Sequence, residues 1–295
     1  MLNKYGLLFF SVLLFLSGCS QAQKKETAPA LKKTIQQTVV KVKMPKIDHI
    51  LIVVEENRSK QAITHNHSAP YINSLMQNGA NFTNYYAIEH PSQPNYLDIF
   101  SGSNQGVTND WVPKTTFSTN NLANELMKKR YTFTGYSEGL PKVGFNGAST
   151  GSGGYARKHN PWVNFNNIPK KWNQPLSSLP SDFSQLPTIS FVIPNLQHDM
   201  HDGTIKEGDN WLKKHIDSYV QWAKTHNSLL IVTWDEDDRS QNNKIPTFLV
   251  GPMVKTGQYI ENVNHFNLLR TLEDLYGLSH IDKSKSVNPI TDVWK

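Results

Sequence analysis

The sequence predicts one large α/β domain with a mostly parallel central sheet and helices on both faces. Three observations lead there. Short, continuous, β-branched apolar runs recur along the chain, as strands buried on both faces require. Helical stretches alternate with these runs, the pattern of a parallel sheet built by crossovers. The 295 residues, 38% hydrophobic and 18% charged, suffice for a well-filled core and exclude a disordered or fibrous chain.

The first apolar run is His49 to Val54, followed by Thr188 to Ile193, Ser228 to Trp234 and Thr247 to Val250. Helical stretches are expected over about 68–78, 93–101, 120–129, 208–226 and 265–276. The region 137–186 is rich in Gly, Asn, Pro and Trp and lacks periodicity, so it reads as an insertion or lid over a site. Trp111, Trp162, Trp172, Trp211, Trp222 and Trp234 share no common face and read as packing.

Ahead of the domain stands a targeting segment. Lys4 precedes an apolar run from Leu7 to Leu16 that is short for a bilayer span. Leu16-Ser17-Gly18-Cys19 is similar to the lipobox of bacterial lipoproteins, in which cleavage leaves a lipidated cysteine. An ordinary cleaved signal peptide with an incidental cysteine is the plainer alternative. Cys19 is the only cysteine, so the exported fold has no disulfide to lean on. The organisation expected is a signal peptide over 1–18, a lipidated Cys19 with a Lys-rich tether over 19–46, and a catalytic domain over 47–295. Such a chain is expected to be anchored at the outer face of a bacterial membrane and to act as a monomer.

The formal charge of +6 invites a nucleic-acid reading. However, eight of the 30 basic residues and one of the 24 acidic residues precede position 47, which leaves 22 and 23 for the domain. A near-neutral body lacks the concentrated basic face that a polyphosphate needs, so nucleic acid is excluded as a partner.

Ligands of open α/β sheets sit beyond the carboxyl ends of the strands. Those ends carry Glu55-Glu56-Asn57 after the first run, Asn195 to Asp202 after the second, and Asp235-Glu236-Asp237-Asp238 after the third. Carboxylates gathered at one rim repel each other unless a cation holds them, and hard oxygens with a few His suit Zn, Mn, Mg or Ca. In His90-Pro-Ser92-Gln-Pro-Asn95-Tyr96, a helix from about Pro94 puts Ser92 where free N–H groups favour a phosphoryl oxygen. Ser92 is equally a good helix cap. Asn95, one turn on, is placed to donate to a phosphate oxygen.

These segments, Glu56 to Ser59, His90 to Tyr96, Asp199 to Gly203 and Trp234-Asp-Glu, resemble the bacterial and fungal phosphoesterase family over about residues 47–280. That family holds acid phosphatases and phospholipases C and belongs to the alkaline phosphatase superfamily. The resemblance implies an alkaline-phosphatase-like sandwich, Ser92 as a nucleophile that becomes phosphorylated, and Asn95 steadying a phosphate oxygen. It further implies metal ligation by Glu56, Asn57, His201, Asp202, Asp235, Glu236 and His265. Asp199 and Asn195 adjoin these motifs, and Asp209 matches a family position either as a ligand or as a helix cap. One departure is Asp-Glu where alkaline phosphatases have Asp-His, which leaves the identity and number of the ions open.

Arg157-Lys158-His159 is the cationic cluster of the 137–186 insertion; Lys158 is expected to clamp a phosphate and His159 to protonate a leaving oxygen, while Arg157 reads as a solvated loop charge. His65 and His67 read as surface residues, and His90 and His198 as neighbours of the site. The reaction expected is metal-dependent hydrolysis of phosphate monoesters on a small molecule or lipid. The alternatives are a phospholipase C-like phosphodiesterase and a lipoprotein that binds phosphorylated ligands without turnover. Sulfatase chemistry is disfavoured, because Tyr96 stands where its motif needs Arg.

Overall fold

The run around His49 becomes β1 (His49–Glu55), whose last six residues are buried because parallel strands flank it on both sides. In the computed structural model of the chain, residues 43–295 are described; the signal segment, Cys19 and most of the tether lie outside the described residues. After β1 come α1 (Lys60–Ile63), α2 (Pro70–Asn78), β2 (Ala80–Phe82), β3 (Tyr85–Tyr86), α3 (Ser92–Ser101), α4 (Leu122–Lys128) and β4 (Phe133–Ser137). Then follow β5 (Asn173–Pro175), β6 (Ile189–Ile193), α5 (Ile205–Ala223), β7 (Ser228–Trp234), β8 (Thr247–Val250), β9 (Gly257–Tyr259), β10 (Val263–Asn264) and α6 (His265–Tyr276).

Eight strands form one sheet in the order β5-β4-β6-β1-β7-β8-β2-β9, and β10 pairs with β3 apart from it. Only β8 runs against its neighbours β7 and β2. The α/β expectation with a mostly parallel sheet is therefore met. Helix α2 packs on α5, while α3, α4 and α6 pack together as a second layer. Their ends follow local chemistry. A Thr204/Glu207 capping box starts α5, Asn264 caps α6, and Gly102 and Gly277 close α3 and α6 at φ 69° and 60°, values that favour glycine.

Two expectations change. The stretch 137–186 is a packed wall: β5 extends the sheet beside β4, and buried Trp162 lies against Gly135, where even a methyl group would meet the indole at 2.1 Å. Its aromatic residues join one cluster with the sheet and α3: Trp162 and Phe165 both pack against Phe100, and Trp162 and Trp172 against Phe133. Trp111 is no packing residue; it is 79% exposed, whereas Trp162, Trp211 and Trp234 are buried.

Candidate active site

Strands β1 and β7 run in register from His49 opposite Ser228 to Glu55 opposite Trp234, so Glu56 and Asn57 leave the sheet beside Asp235 and Glu236. The Asp235 N–H donates to the Glu55 carbonyl at 3.0 Å, and the Asn57 N–H reaches Asp235 Oδ1 at 3.4 Å. Asn57 holds φ 51°, which Asn tolerates better than most residues, and its Nδ2 donates to Glu56 Oε2 at 2.7 Å.

Ser92 opens α3 and is buried. Lys158, delivered by a 3₁₀ turn at Arg157–His159, donates from Nζ to Ser92 Oγ at 3.4 Å and to Asp110 Oδ2 at 3.1 Å. The same ammonium stands 3.3 Å from His201 Nε2 and 3.8 Å from Glu56 Oε1. Burial disfavours its charge, but Glu56 and Asp110 outweigh burial and raise its pKa.

His159 is buried and stacked on Tyr96, with ring centroids 4.8 Å apart. Its Nε2 forms an ion pair with Glu56 that lacks hydrogen-bond alignment, and its Nδ1 lies 3.2 Å from Asp199 Oδ2. Burial works against the imidazolium, yet the two carboxylates raise its pKa to about 9. Burial likewise raises Glu56, but His159, Lys158 and His201 more than offset it and hold this carboxyl well below its usual range. Asp235 and Glu236 move the other way. Burial first, then repulsion by Glu56, raises both, Glu236 to about 8.

Several residues take places that the sequence reading did not give them. Asn95 is fully buried, its Oδ1 accepting from the Ile88 and Glu89 N–H groups and its Nδ2 donating to the Glu89 carbonyl at 2.7 Å. The carboxamide thus staples the turn before Ser92 and has no free donor for a phosphate. His159 is walled in by Glu56, Asp199 and Tyr96, so no leaving oxygen reaches it. His265 lies behind Asp235. Its Nε2 meets the Asp235 carbonyl at 2.9 Å and must carry the proton, which leaves Nδ1 to accept from the Tyr85 hydroxyl at 3.3 Å. Burial lowers its pKa to about 4, and with both nitrogens engaged it supports the Asp235 turn.

Asp202 stands at the rim, 2.7 Å from His201 Nδ1, and orients that ring so that Nε2 faces Lys158. Asp199 accepts from the His201 N–H at 2.8 Å while facing His159, and so braces both. Asn195 closes an Asx turn onto the Gln197 and His198 N–H groups. Asp209 caps a helix, but a different one from its own: it accepts from the Tyr71 and Ile72 N–H groups at the start of α2. His90 sits 2.9 Å from Glu236 Oε2.

Asp110 and Gln93 had not been singled out. The Gln93 N–H donates to Asp110 Oδ1 at 3.0 Å, and the Gln93 carboxamide donates to the Asn109 and Trp111 carbonyls. Gln93 follows the nucleophile candidate directly, which was the one available signal; Asp110 lies in a polar loop with no motif around it.

The rim was then tested for a cation. Among the described residues no three His, Cys, Asp or Glu side chains already close on one point. What the rim does hold is more buried carboxylate oxygens than donors: Asp235 Oδ2 meets none, Glu56 Oε1 meets only the misaligned His159 Nε2 and Lys158 at 3.8 Å, and Glu236 Oε2 only His90 Nδ1 at 2.9 Å. Buried charge without a partner is costly, and hard oxygens are the donors that divalent ions take. The residues present fit such an ion.

Comparison with known proteins gives the family. The family model described as Phosphoesterase family matches residues 62–279. The chain belongs to the phosphoesterase family. It is accordingly a phosphoric ester hydrolase. It is 50% identical over 253 residues to the phosphatidylinositol-3-phosphatase of Mycobacterium tuberculosis, covering 85% of this chain and 84% of that one. The phosphate-repressible acid phosphatase of Penicillium chrysogenum is 28% identical over 72% of this phosphoesterase, which spans 55% of that relative. Among solved structures, an alkaline phosphatase superfamily protein of Vibrio parahaemolyticus superposes with a TM-score of 0.58 at 14% identity, over 84% of this chain and 71% of that chain. The periplasmic domain of EcEptC from Escherichia coli, solved in complex with Zn, gives a TM-score of 0.50 at 12% identity over 80% and 84%. These last two share the fold, and the α/β architecture expected from the sequence is the one they show.

Proposed function

We propose that the protein is a metal-dependent phosphomonoesterase working through Ser92, with a phosphorylated lipid head group as its substrate class. One observation carries this reading: the Ser92 hydroxyl, at a helix start, accepts from the Lys158 ammonium at 3.4 Å beside a rim where buried carboxylate oxygens outnumber their donors. Glu56, Asn57, Asp235 and Glu236 would hold the divalent ion, which supplies Lewis-acid stabilisation of phosphate charge. Ser92 Oγ, its proton passing through Lys158 to His201 Nε2, attacks phosphorus in line, and the alcohol leaves on the opposite side and takes up that proton from His201. Lys158 places positive charge on Ser92 Oγ and on the phosphoryl oxygens as charge grows there. The reachable imidazole is His201; with Asp202 on Nδ1, its Nε2 faces the site and gives a proton to the leaving oxygen. Water then releases phosphate from Ser92.

The half-identical relative named for a phosphatidylinositol 3-phosphate activity supports a lipid monoester, and so does an anchor at Cys19 at the membrane surface. The test offers the full chain p-nitrophenyl phosphate and bis-p-nitrophenyl phosphate, with EDTA and with Ser92→Ala alongside. Monoester turnover that both treatments abolish is the expected result. Preferred diester cleavage makes the protein a phosphodiesterase, and full activity of Ser92→Ala refutes the phosphoserine route.

A further inference from the structure

We propose that the loop over residues 105–116 is a membrane-docking element that seats Trp111 and Val112 in a lipid interface beside the catalytic site; this rests on the phosphomonoesterase reading above. Trp111 is 79% and Val112 42% exposed, an adjacent apolar pair on a chain whose other large side chains mostly pack inward. A lone exposed apolar residue carries no message; such a pair at the mouth of a site does.

The loop is not a free tip. The Gln93 carboxamide donates to the Asn109 and Trp111 carbonyls at 2.8 Å each, and the Gln93 N–H donates to Asp110 Oδ1. These bonds tie the Asn109–Trp111 backbone to Gln93, the residue after Ser92, while the Trp111 indole is left outside. Asp110, the loop's only acid, turns inward to Lys158 at 3.1 Å, so the outward side presents Trp111, Val112, Pro113 and the cation of Lys114. An indole with one polar edge prefers the boundary between head groups and acyl chains. A neighbouring lysine adds attraction to anionic lipid. The occupant is therefore a phospholipid surface, and docking there presents head-group phosphate to Ser92.

The test uses the full chain carrying Cys19→Ser, which removes the only native cysteine and with it the lipidation expected there. An environment-sensitive nitrobenzoxadiazole dye is attached through Val112→Cys, or through Ile260→Cys as the control, a site 77% exposed on the β9–β10 connection. Vesicles of phosphatidylcholine with phosphatidylinositol 3-phosphate are expected to brighten and blue-shift the dye at 112 and leave the dye at 260 unchanged. Equal responses at both positions, or none at 112, overturn the proposal. Kinetics supply a second readout. Trp111→Ala with Val112→Ser is expected to raise the KM for the vesicle-borne lipid roughly tenfold, as the loss of a buried indole implies. Turnover of water-soluble dibutanoyl phosphatidylinositol 3-phosphate is expected to stay unchanged, which also shows that the variant is folded. Loss on both substrates, or on neither, refutes docking. Failure of the phosphomonoesterase reading looks different, because the parent chain then cleaves neither form while the dye still reports on insertion.

Discussion

Replacing Lys158 by Met tests whether the ammonium at the centre of the site acts on the reacting oxygens. Nζ is 3.4 Å from Ser92 Oγ and 3.8 Å from Glu56 Oε1, and the lysine side chain is 15% exposed against 0% for Glu56. At an effective dielectric constant of about 20, a unit charge pair at that second distance interacts by about 4 kcal/mol. A phosphoryl group on Ser92 would lie about as close to Nζ as Glu56 does, so a comparable energy is at stake as charge develops. A lost donor of this kind costs ~3–4 kcal/mol, or roughly 10²- to 10³-fold in kcat/KM. The assay is p-nitrophenyl phosphate turnover by the parent, Lys158→Met and Lys158→Arg, with thermal denaturation in parallel. Arg keeps the charge and is expected to recover part of the loss. A Met variant that stays folded and within about tenfold of the parent refutes a role for the ammonium in the transition state.

Three other predictions follow from the same geometry. EDTA is expected to lower the melting temperature as well as the activity, because the Glu56, Asp235 and Glu236 oxygens lose their counter-ion; a melting temperature indifferent to EDTA and to added divalent ions counts against an ion at this rim. Asp98 is buried with both oxygens unpartnered, and burial, then Glu89, raises its pKa from 3.8 to about 8. A raised folded pKa means that its contribution is complete below about pH 4 and is lost as pH climbs to about 8, a span worth at most ~6 kcal/mol; Asp98→Asn should therefore gain stability over the parent across that window, and parallel melting curves from pH 4 to 8 refute this. Gly135→Ala drives a Cβ to 2.1 Å from the Trp162 indole and is expected to cost about 1–3 kcal/mol in denaturant unfolding; an unchanged midpoint shows that the wall yields freely.

The long strands were legible because β1, β6, β7 and β8 are continuous apolar runs, and burial on both faces leaves that signature with little else to confuse it. Strand β4 was not, since Phe-Thr-Gly-Tyr-Ser breaks the run with the very glycine that admits Trp162. The acidic strand ends and the Ser92 segment showed in sequence because their residue types are unusual just there. Their detailed duties did not, because duty depends on what the second end of a side chain meets. Asn95 reads as a phosphate donor until its carboxamide is seen spent on the turn at 88–91. His159 reads as an exposed acid until Glu56 and Asp199 close round it. Trp111 reads as core until Gln93 is found holding its backbone outward. Each of these contacts joins residues far apart in the chain or depends on a loop path that periodicity does not encode.

The charges explain why such a site tolerates so much strain on its acids. Glu56, Asp199, Asp235 and Glu236 crowd a region whose main compensating charges are Lys158 and the His159 imidazolium, with Arg239 acting on Glu236, and Lys158 is shared with Asp110. A rim with that balance repels a phosphate dianion when left alone. Burial answers part of the imbalance by favouring the protonated forms of Asp235 and Glu236. Glu56 cannot use that route, because His159 and Lys158 hold it ionised. The His159–Asp199 brace therefore does for Glu56 what the β1–β7 register does for its position: it fixes a charged oxygen beside Ser92 before any ligand arrives. A divalent ion entering there would displace protons from Asp235 and Glu236 and turn a repulsive rim into an attractive one. If such an ion binds, its binding and that of the phosphate would be one event electrostatically, and the crowded carboxylate oxygens would be the cost the fold carries in order to couple them.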